Sequence, residues 1–519
     1  QYKGRRWKTS AAFCFPACLL LFGMAGSIRA LASQTAVYGL SSMVGRFINF
    51  LLVPLYTARL AGVSDYGVVS VMFSYAAFLG VLYTYGMETA FFNFARREPR
   101  PEQVFATGFR ALVFSSLGFS LIAFLFSGSL AAWAGYPAHP EYVGLFAGIL
   151  AADALAALPF AWLRFREKAL RFAFIRLSGI LLNVAINLFC LLVLPKMAEK
   201  GWVDAAWVKP ESLVLYIFLS NFIASFAVLL LLLPELRLAI RGWNKMLFRE
   251  MFRYAAPLIW VGLAGMVNET LDRILLKQLL DGQVADYEAG LYSAFYKMAM
   301  VLSIFVQAFR FAAEPFFFSR SNEKNAPQLY AHVMRIFIWV VAGMGLATLC
   351  FADFIAPLLL RRAEYFSDAR GMGVVPILLL ANLFLGVYYN LSIWYKLSGQ
   401  TKLGARVAIG GALATLVLNM LFIPYFSFVA SAWITLIVYA AMVIASWYMG
   451  RSWYPVPYHY GNGLMALVLA GLAWLAFSST GLTSTDGSMY WLVGSTIVLV
   501  YGGIAFLSEK KQWLWKSSE

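Results

Sequence analysis

Residues 212–234 read SLVLYIFLSNFIASFAVLLLLLP without a single charge, and residues 235–253 read ELRLAIRGWNKMLFREMFR, with Arg237, Arg241, Lys245, Arg249 and Arg253. A bilayer core takes roughly 20 apolar residues as a helix, so the first stretch is a membrane-spanning segment. The second is the kind of short cationic connection that stays on the cytoplasmic side. Outward from this junction the same alternation runs along the whole chain. Of its 519 residues 61% are apolar and only 13% charged, where a soluble domain carries about 25% charged residues. A soluble globular enzyme, a disordered chain and a fibrous repeat are thereby excluded.

Apolar runs of spanning length lie near 34–57, 68–93, 104–127, 141–163, 172–195 and 212–234. Beyond the basic connection they recur near 254–280, 287–317, 329–352, 372–395, 404–424, 427–450, 462–479 and 489–508. The fold class is therefore an all-α polytopic membrane protein with about 14 transmembrane helices. Loops after even-numbered spans hold most cations, among them Arg96, Arg97, Arg100, Arg164, Arg166, Lys168 and Arg171, while the opposite loops hold few, such as Arg59, Lys196 and Lys200. Positive loops stay inside, which predicts cytoplasmic termini. The net charge of +16 is then a topogenic signal and calls for no nucleic-acid partner. Residues 1–33 carry a basic run and a short apolar stretch broken by Pro16. They read as an N-terminal extension, either signal-like or a start-site artefact, and are left out of the mechanism.

The chain also repeats itself. Ser64-Asp65-Tyr66 matches Ala285-Asp286-Tyr287, Trp162 before a basic loop matches Trp394, and Asn187 matches Asn419, each in an equivalent span. This predicts an N-lobe over 34–234 and a C-lobe over 254–450, joined by the basic linker 235–253 and followed over 451–519 by two additional spans and a tail. Six spans separate the copies, so the repeat is parallel, about an axis along the membrane normal. The loops lack a nucleotide-binding G-x-x-x-x-G-K-[ST] motif, and His139, His332 and His459 are scattered without metal-ligand spacing. Cys14, Cys18, Cys190 and Cys350 lie in apolar runs, which argues against a disulfide framework. No metal site is expected.

Ionisable groups inside a membrane cost about 2.5–3.5 kcal/mol each on insertion scales and face protein or water. The first lobe holds Arg46, Glu88, Arg110, Asp153 and Arg176, with Asn183 and Asn187 one turn apart; the second holds Asn268, Glu269, Asp272, Arg273, Lys297, Gln307, Arg310, Glu314 and Arg335. A hydrated cavity between the lobes accounts for so many. Glu269 with Arg273 and Arg310 with Glu314 are spaced i,i+4 and could instead be self-neutralising pairs. Asn183 and Asn187 could be interhelical hydrogen-bond glue. Arg46, Arg110 and Arg176 have no acid three or four residues away, so packing explains them least. The substrate-binding candidates are Arg46, Glu88, Arg110, Arg176, Asn187, Arg273, Lys297 and Arg310; Asp153, Glu269, Asp272 and Glu314 are candidates for ion coupling.

Gln34-Thr35-Ala36-Val37-Tyr38-Gly39, Gly45-Arg46-Phe47, Leu52-Val53-Pro54-Leu55-Tyr56, Asp65-Tyr66-Gly67 and Tyr85-Gly86-Met87-Glu88-Thr89 follow one another in the first two spans. Asp272-Arg273-Ile274-Leu275-Leu276 and Gln307, Arg310, Glu314-Pro315-Phe316 occupy the second half. In this order the motifs, covering about 34 to 450, resemble those of bacterial Wzx-type polysaccharide flippases of the multidrug/oligosaccharidyl-lipid/polysaccharide (MOP) exporter superfamily. The resemblance implies two six-helix lobes in a V around a central cavity, with two C-terminal helices added. It implies a transporter and not an enzyme: a flippase moving an undecaprenyl-pyrophosphate-linked oligosaccharide from the cytoplasmic to the periplasmic leaflet of the inner membrane by alternating access. No cofactor is implied beyond Na+ or H+ coupling. The pyrophosphate maps onto Arg46 and then Arg110, Arg176 and Arg273, and the partners implied are the lipid-linked oligosaccharide, membrane lipids and polysaccharide polymerase machinery. Two alternatives remain. A cation-coupled multidrug exporter of the same superfamily would want a net acidic cavity, against the three arginines of the first lobe. A membrane-embedded glycan polymerase or ligase would want a large extracytoplasmic loop, and the longest, 195–211, is short.

Overall fold

The computed structural model describes residues 44–45, 47–48, 50–237, 242–321, 323–458 and 460–516. Residues 1–33, most of the first predicted span and Arg46 lie outside them. Among the described residues every regular element is a helix. In the first half these are α1 (Val53–Arg59), α2 (Val63–Thr84), α3 (Met87–Ala95), α4 (Pro101–Leu125), α5 (Ser127–Trp133), α6 (Pro140–Phe165), α7 (Ala169–Leu188) and α8 (Pro210–Leu231). The second half contributes α9 (Lys245–Leu279), α10 (Gly282–Arg320), α11 (Ala326–Cys350), α12 (Ala369–Leu391), α13 (Ile393–Leu397), α14 (Thr401–Trp453), α15 (Tyr460–Ser479) and α16 (Ser488–Lys516).

Local chemistry sets the boundaries. Pro101, Pro140 and Pro210 open α4, α6 and α8, where the missing N–H costs no intrahelical bond and φ is already helical. Between α2 and α3, Tyr85 and Gly86 both turn left-handed, at φ 34° and 71°, and interrupt a predominantly apolar segment. Within the 53 residues of α14 a turn at Ser427 (φ 50°, ψ −140°) reverses the chain, so this element makes two passes. Eleven helical segments of the described residues are long and apolar enough to cross a membrane. The charge-bearing α9 is 35 residues long, about 52 Å at the rise of an α-helix, and falls outside that set only by its polarity. The protein is thus an all-α polytopic membrane protein, with about thirteen passes among the described residues once α14 counts twice and α9 is added; most of the first predicted span lies outside them.

The two halves meet at both ends of the bundle. At the end carrying the 59–66 and 281–287 loops, α2 and α10 touch backbone to backbone. A Cβ built on Gly67 would lie 1.9 Å from the Asp286 carbonyl oxygen, and one on Gly290 2.1 Å from that of Val63; only glycine permits this approach. Polar bonds surround the contact. Thr57 Oγ1 donates to the Leu359 carbonyl at 2.7 Å, Arg362 donates to the Ala61 carbonyl, and Gln278 Nε2 donates to Tyr75 Oη at 2.6 Å and the Trp133 carbonyl at 2.8 Å. Asp286 accepts from Tyr136 Oη at 2.9 Å and pairs with Lys277 at 2.7 Å. At the opposite end the opening turns of α9, capped by Asn244 onto Leu247 N, place Leu247, Met251 and Ala255 in a core with Met87, Phe91, Phe105 and Leu158. Helices α15 and α16 pack on α11, and Arg335 of α11 holds Glu509 of α16 bidentately at 2.6 and 2.7 Å.

Candidate functional site

The densest group of buried charge lies where α9 faces α10. Asp272 and Arg273 are each under a tenth exposed. The Arg273 guanidinium donates to the Asp272 carboxylate at 2.8 Å and to the Glu269 carbonyl at 2.8 Å, and lies over the rings of Tyr296 and Tyr292 at 4.4 and 5.3 Å. Tyr292 Oη completes the Asp272 carboxylate at 2.7 Å. Hydrogen bonds and a ring face are what a buried ion pair needs to offset the loss of water. The i,i+4 pairing that the spacing of Glu269 and Arg273 offered is therefore not what forms. The arginine pairs with its chain neighbour Asp272 and hydrogen-bonds the backbone oxygen of Glu269, whose carboxylate acts on it only from beyond 4 Å.

Lys297 follows Tyr296 on α10, about 22 Å along the helix from its start by the α-helical rise. Its ammonium contacts the Met300 sulfur at 4.0 Å, and the charge that acts on it is another cation, Arg273. Within 4 Å it has no carboxylate among the described residues. Two cations thus stand together deep in the membrane-spanning part, and one of them is unneutralised at short range. One turn before Asp272 on α9, Asn268 accepts from Thr415 Oγ1 at 2.9 Å and its carbonyl accepts from Tyr439 Oη at 2.8 Å.

The first-half candidates are placed differently. Glu88 pairs with Arg164 of α6 at the loop end of its helix, where both are partly exposed. Arg176 lies over the Phe160 ring at 5.7 Å and interacts with Asp153 of α6, which also bonds Ser225. Its neutraliser comes from a neighbouring helix, a relation that spacing along the chain does not reveal. Arg110 is half-buried on α4. Asn187 is 1% exposed; its amide donates to Asn183 Oδ1 at 2.9 Å and to Ser220 Oγ at 2.6 Å and accepts from Tyr56 Oη at 3.1 Å. Its counterpart Asn419 accepts from Ser431 Oγ at 2.8 Å. In both halves, then, this asparagine bonds the next pass, as interhelical glue does.

At the far end of α10 the second i,i+4 pair is also divided. Glu314 pairs with Lys396 of α13 at 2.6 Å, and Arg310 lies over the Tyr389 ring at 4.5 Å. Sequence reasoning missed Lys396, Tyr292 and Tyr296. Lys396 stands in a basic loop, where a cation reads as a topogenic charge, and the tyrosines carry no charge to flag them, although two tyrosines one turn apart beside Lys297 are a readable sign. It also missed the Lys277–Asp286 pair, because Lys277 reads as a loop cation and Asp286 as part of the repeated Asp-Tyr motif.

A family model described as polysaccharide biosynthesis protein matches residues 31–320. The fold is similar to that of a solved structure titled lipid II flippase MurJ, inward closed conformation, with a TM-score of 0.67 and 12% identity over 90% of this chain and 98% of that one. It is similar as well to an inward-facing multidrug resistance MATE family transporter of the MOP superfamily, with a TM-score of 0.54 and 13% identity over 89% of this chain and 98% of that one. A third structure, a MATE in the bent conformation, gives 0.53 and 12% over 90% and 99%. At these identities the likeness concerns the fold. No curated protein sequence matches significantly.

Proposed function

The chain belongs to the polysaccharide biosynthesis protein family, and from that premise we propose that it is a flippase for an undecaprenyl-pyrophosphate-linked oligosaccharide, working by alternating access in the bacterial inner membrane. The observation that carries this reading is Lys297. An ammonium deep in a membrane-spanning helix, with Arg273 beside it and no carboxylate within 4 Å among the described residues, is costly unless an anion visits it. A pyrophosphate is such an anion, and Arg273, whose ion pair and aromatic bed hold the guanidinium in place, adds a donor geometry suited to phosphate oxygens. A cationic drug would be repelled from the same position.

Residues 34–234 and 254–450 act as the two lobes in this reading, with both termini cytoplasmic. The end bearing the 59–66 and 281–287 loops is periplasmic and closed here. Of the four acids considered for coupling, Asp272 is held by Arg273 and Tyr292, Glu314 by Lys396, and Asp153 by Arg176 and Ser225. Glu269 has no cation within 4 Å among the described residues, and we assign the driving Na+ or H+ to it. The test is Lys297→Gln in cells that depend on the protein for surface glycan. Glycan display is expected to fall at least tenfold with protein accumulation unchanged, and Lys297→Arg to restore most of it. Normal display in Lys297→Gln would overturn the reading.

A further inference from the structure

A second cationic pocket lies apart from the Lys297 cluster, at the end of α10 that the positive loops assign to the cytoplasm. It is lined by Arg310, Glu314 and Phe317 of α10, Tyr389 and Asn390 of α12, and Lys396 of α13. Thirteen residues separate Lys297 from Arg310, about 20 Å of helix and more than a third of a turn in direction, so one small ligand cannot reach both.

Three observations describe what the pocket can hold. Arg310 lies over the Tyr389 ring at 4.5 Å, lines the pocket and has no carboxylate within 4 Å among the described residues, so its guanidinium donors are not taken up by an ion pair. Lys396 shares Glu314 at 2.6 Å, both about a third exposed, so the three charges sum to one net positive. Asn390 is 4% exposed, and its amide nitrogen lies buried with no hydrogen-bond partner among the described residues. A buried donor without an acceptor is costly to maintain; a cation edge and an orphan amide in one pocket both want oxygen acceptors. The walls between them are apolar, from Phe309, Phe317 and Ile393. A free inorganic anion has no use for those walls, whereas a phosphate carried on a hydrocarbon chain fits both parts.

We propose that this pocket binds the phosphate group of an amphiphilic lipid. For the identity of that lipid the inference rests on the flippase reading, in which the pocket is the first station of the lipid-linked pyrophosphate at the cytoplasmic leaflet; its chemistry is equally that of an anionic phospholipid headgroup. Lys396 has three N–H donors, so it can keep Glu314 at 2.6 Å and still offer a donor to the phosphate.

The test uses the purified full chain in detergent and native mass spectrometry with farnesyl pyrophosphate, phosphatidylglycerol and inorganic pyrophosphate. Arg310→Gln and Asn390→Asp, each checked for an unchanged melting temperature, are expected to weaken farnesyl pyrophosphate at least tenfold. If either variant melts early, Lys396→Gln on the exposed rim replaces it. Farnesyl pyrophosphate bound tighter than phosphatidylglycerol assigns the pocket to the cargo headgroup, and equal binding assigns it to the bulk leaflet; both support a phosphate amphiphile. Unchanged affinity in the variants, or inorganic pyrophosphate binding as tightly as the prenyl form, would overturn the proposal. No export is measured, so a failed flippase reading leaves this result standing.

Discussion

Arg273 shows at the scale of one residue how a membrane protein keeps a charge buried. The carboxylate of Asp272, a carbonyl and two ring faces surround it. Removing one partner strands the other, at a cost of about 3–5 kcal/mol for a buried pair. Asp272→Asn is therefore expected to lower stability by about that amount in denaturation of the detergent-solubilised protein, and Arg273→Met in the same background to recover most of it. An Asp272→Asn protein as stable as the wild type would show that water enters the pair. Arg46 makes the complementary case in the first lobe. It has no acid at i±3 or i±4, and a phosphate would use its fork of donors. Arg46→Ala is expected to abolish surface glycan while the protein accumulates, and Arg46→Lys to keep part of the activity; normal display in Arg46→Ala would make the arginine structural. The sequence alone revealed that Arg273 and Lys297 sit at membrane depth, because a charge inside an apolar run is visible in one dimension. It could not reveal the partners. Side chains of adjacent residues diverge by about 100° around a helix, so an i,i+4 argument pointed to Glu269, and only the aromatic bed from α10 turns the guanidinium back onto Asp272.

Among whole elements, span positions were legible and interruptions were not. Length and hydropathy located α4, α6, α11 and α12 within a few residues, because a bilayer imposes one length on every helix. The left-handed break at Tyr85 and Gly86 escaped, since it falls inside a predominantly apolar run. The repeat of Asp65-Tyr66 and Asp286-Tyr287 was noticed as a pattern; in space the two copies lie against each other, with Gly67 and Gly290 at the crossing. Gly67→Ala has no side chain to push aside, because the obstacle is the Asp286 carbonyl. It is expected to separate α2 from α10 and lower glycan export at least tenfold. Gly118→Ala, which meets nothing within 4 Å, is expected to export normally and serves as the control for helix propensity. Equal export by both variants would mean that the crossing is looser than its geometry.

Across the whole molecule, the bonds joining the halves at the end of the 59–66 and 281–287 loops define what must open there if the lobes rock, while Asn244 N–H to Thr107 Oγ1 joins them at the opposite end. Thr57 to Leu359, Arg362 to Ala61, Gln278 to Tyr75 and Trp133, and Tyr136 to Asp286 all lie at one end. A cysteine crosslink between the 59–66 and 281–287 loops is expected to hold that end shut and stop export; undiminished export with the crosslink complete would reject rocking. Cysteine labelling from outside intact cells is expected to reach 128–140 and 480–488 and to spare 164–171, and the reverse pattern would invert the topology. The Gly67–Gly290 crossing also governs permeability. In the flippase reading proposed above, the protein has to remain an electrical insulator between turnovers, and side chains meeting across a gap leave crevices through which a file of water can conduct protons. Two backbones in van der Waals contact leave none where they cross, so the same pair of glycines that lets the helices cross also closes that point to water.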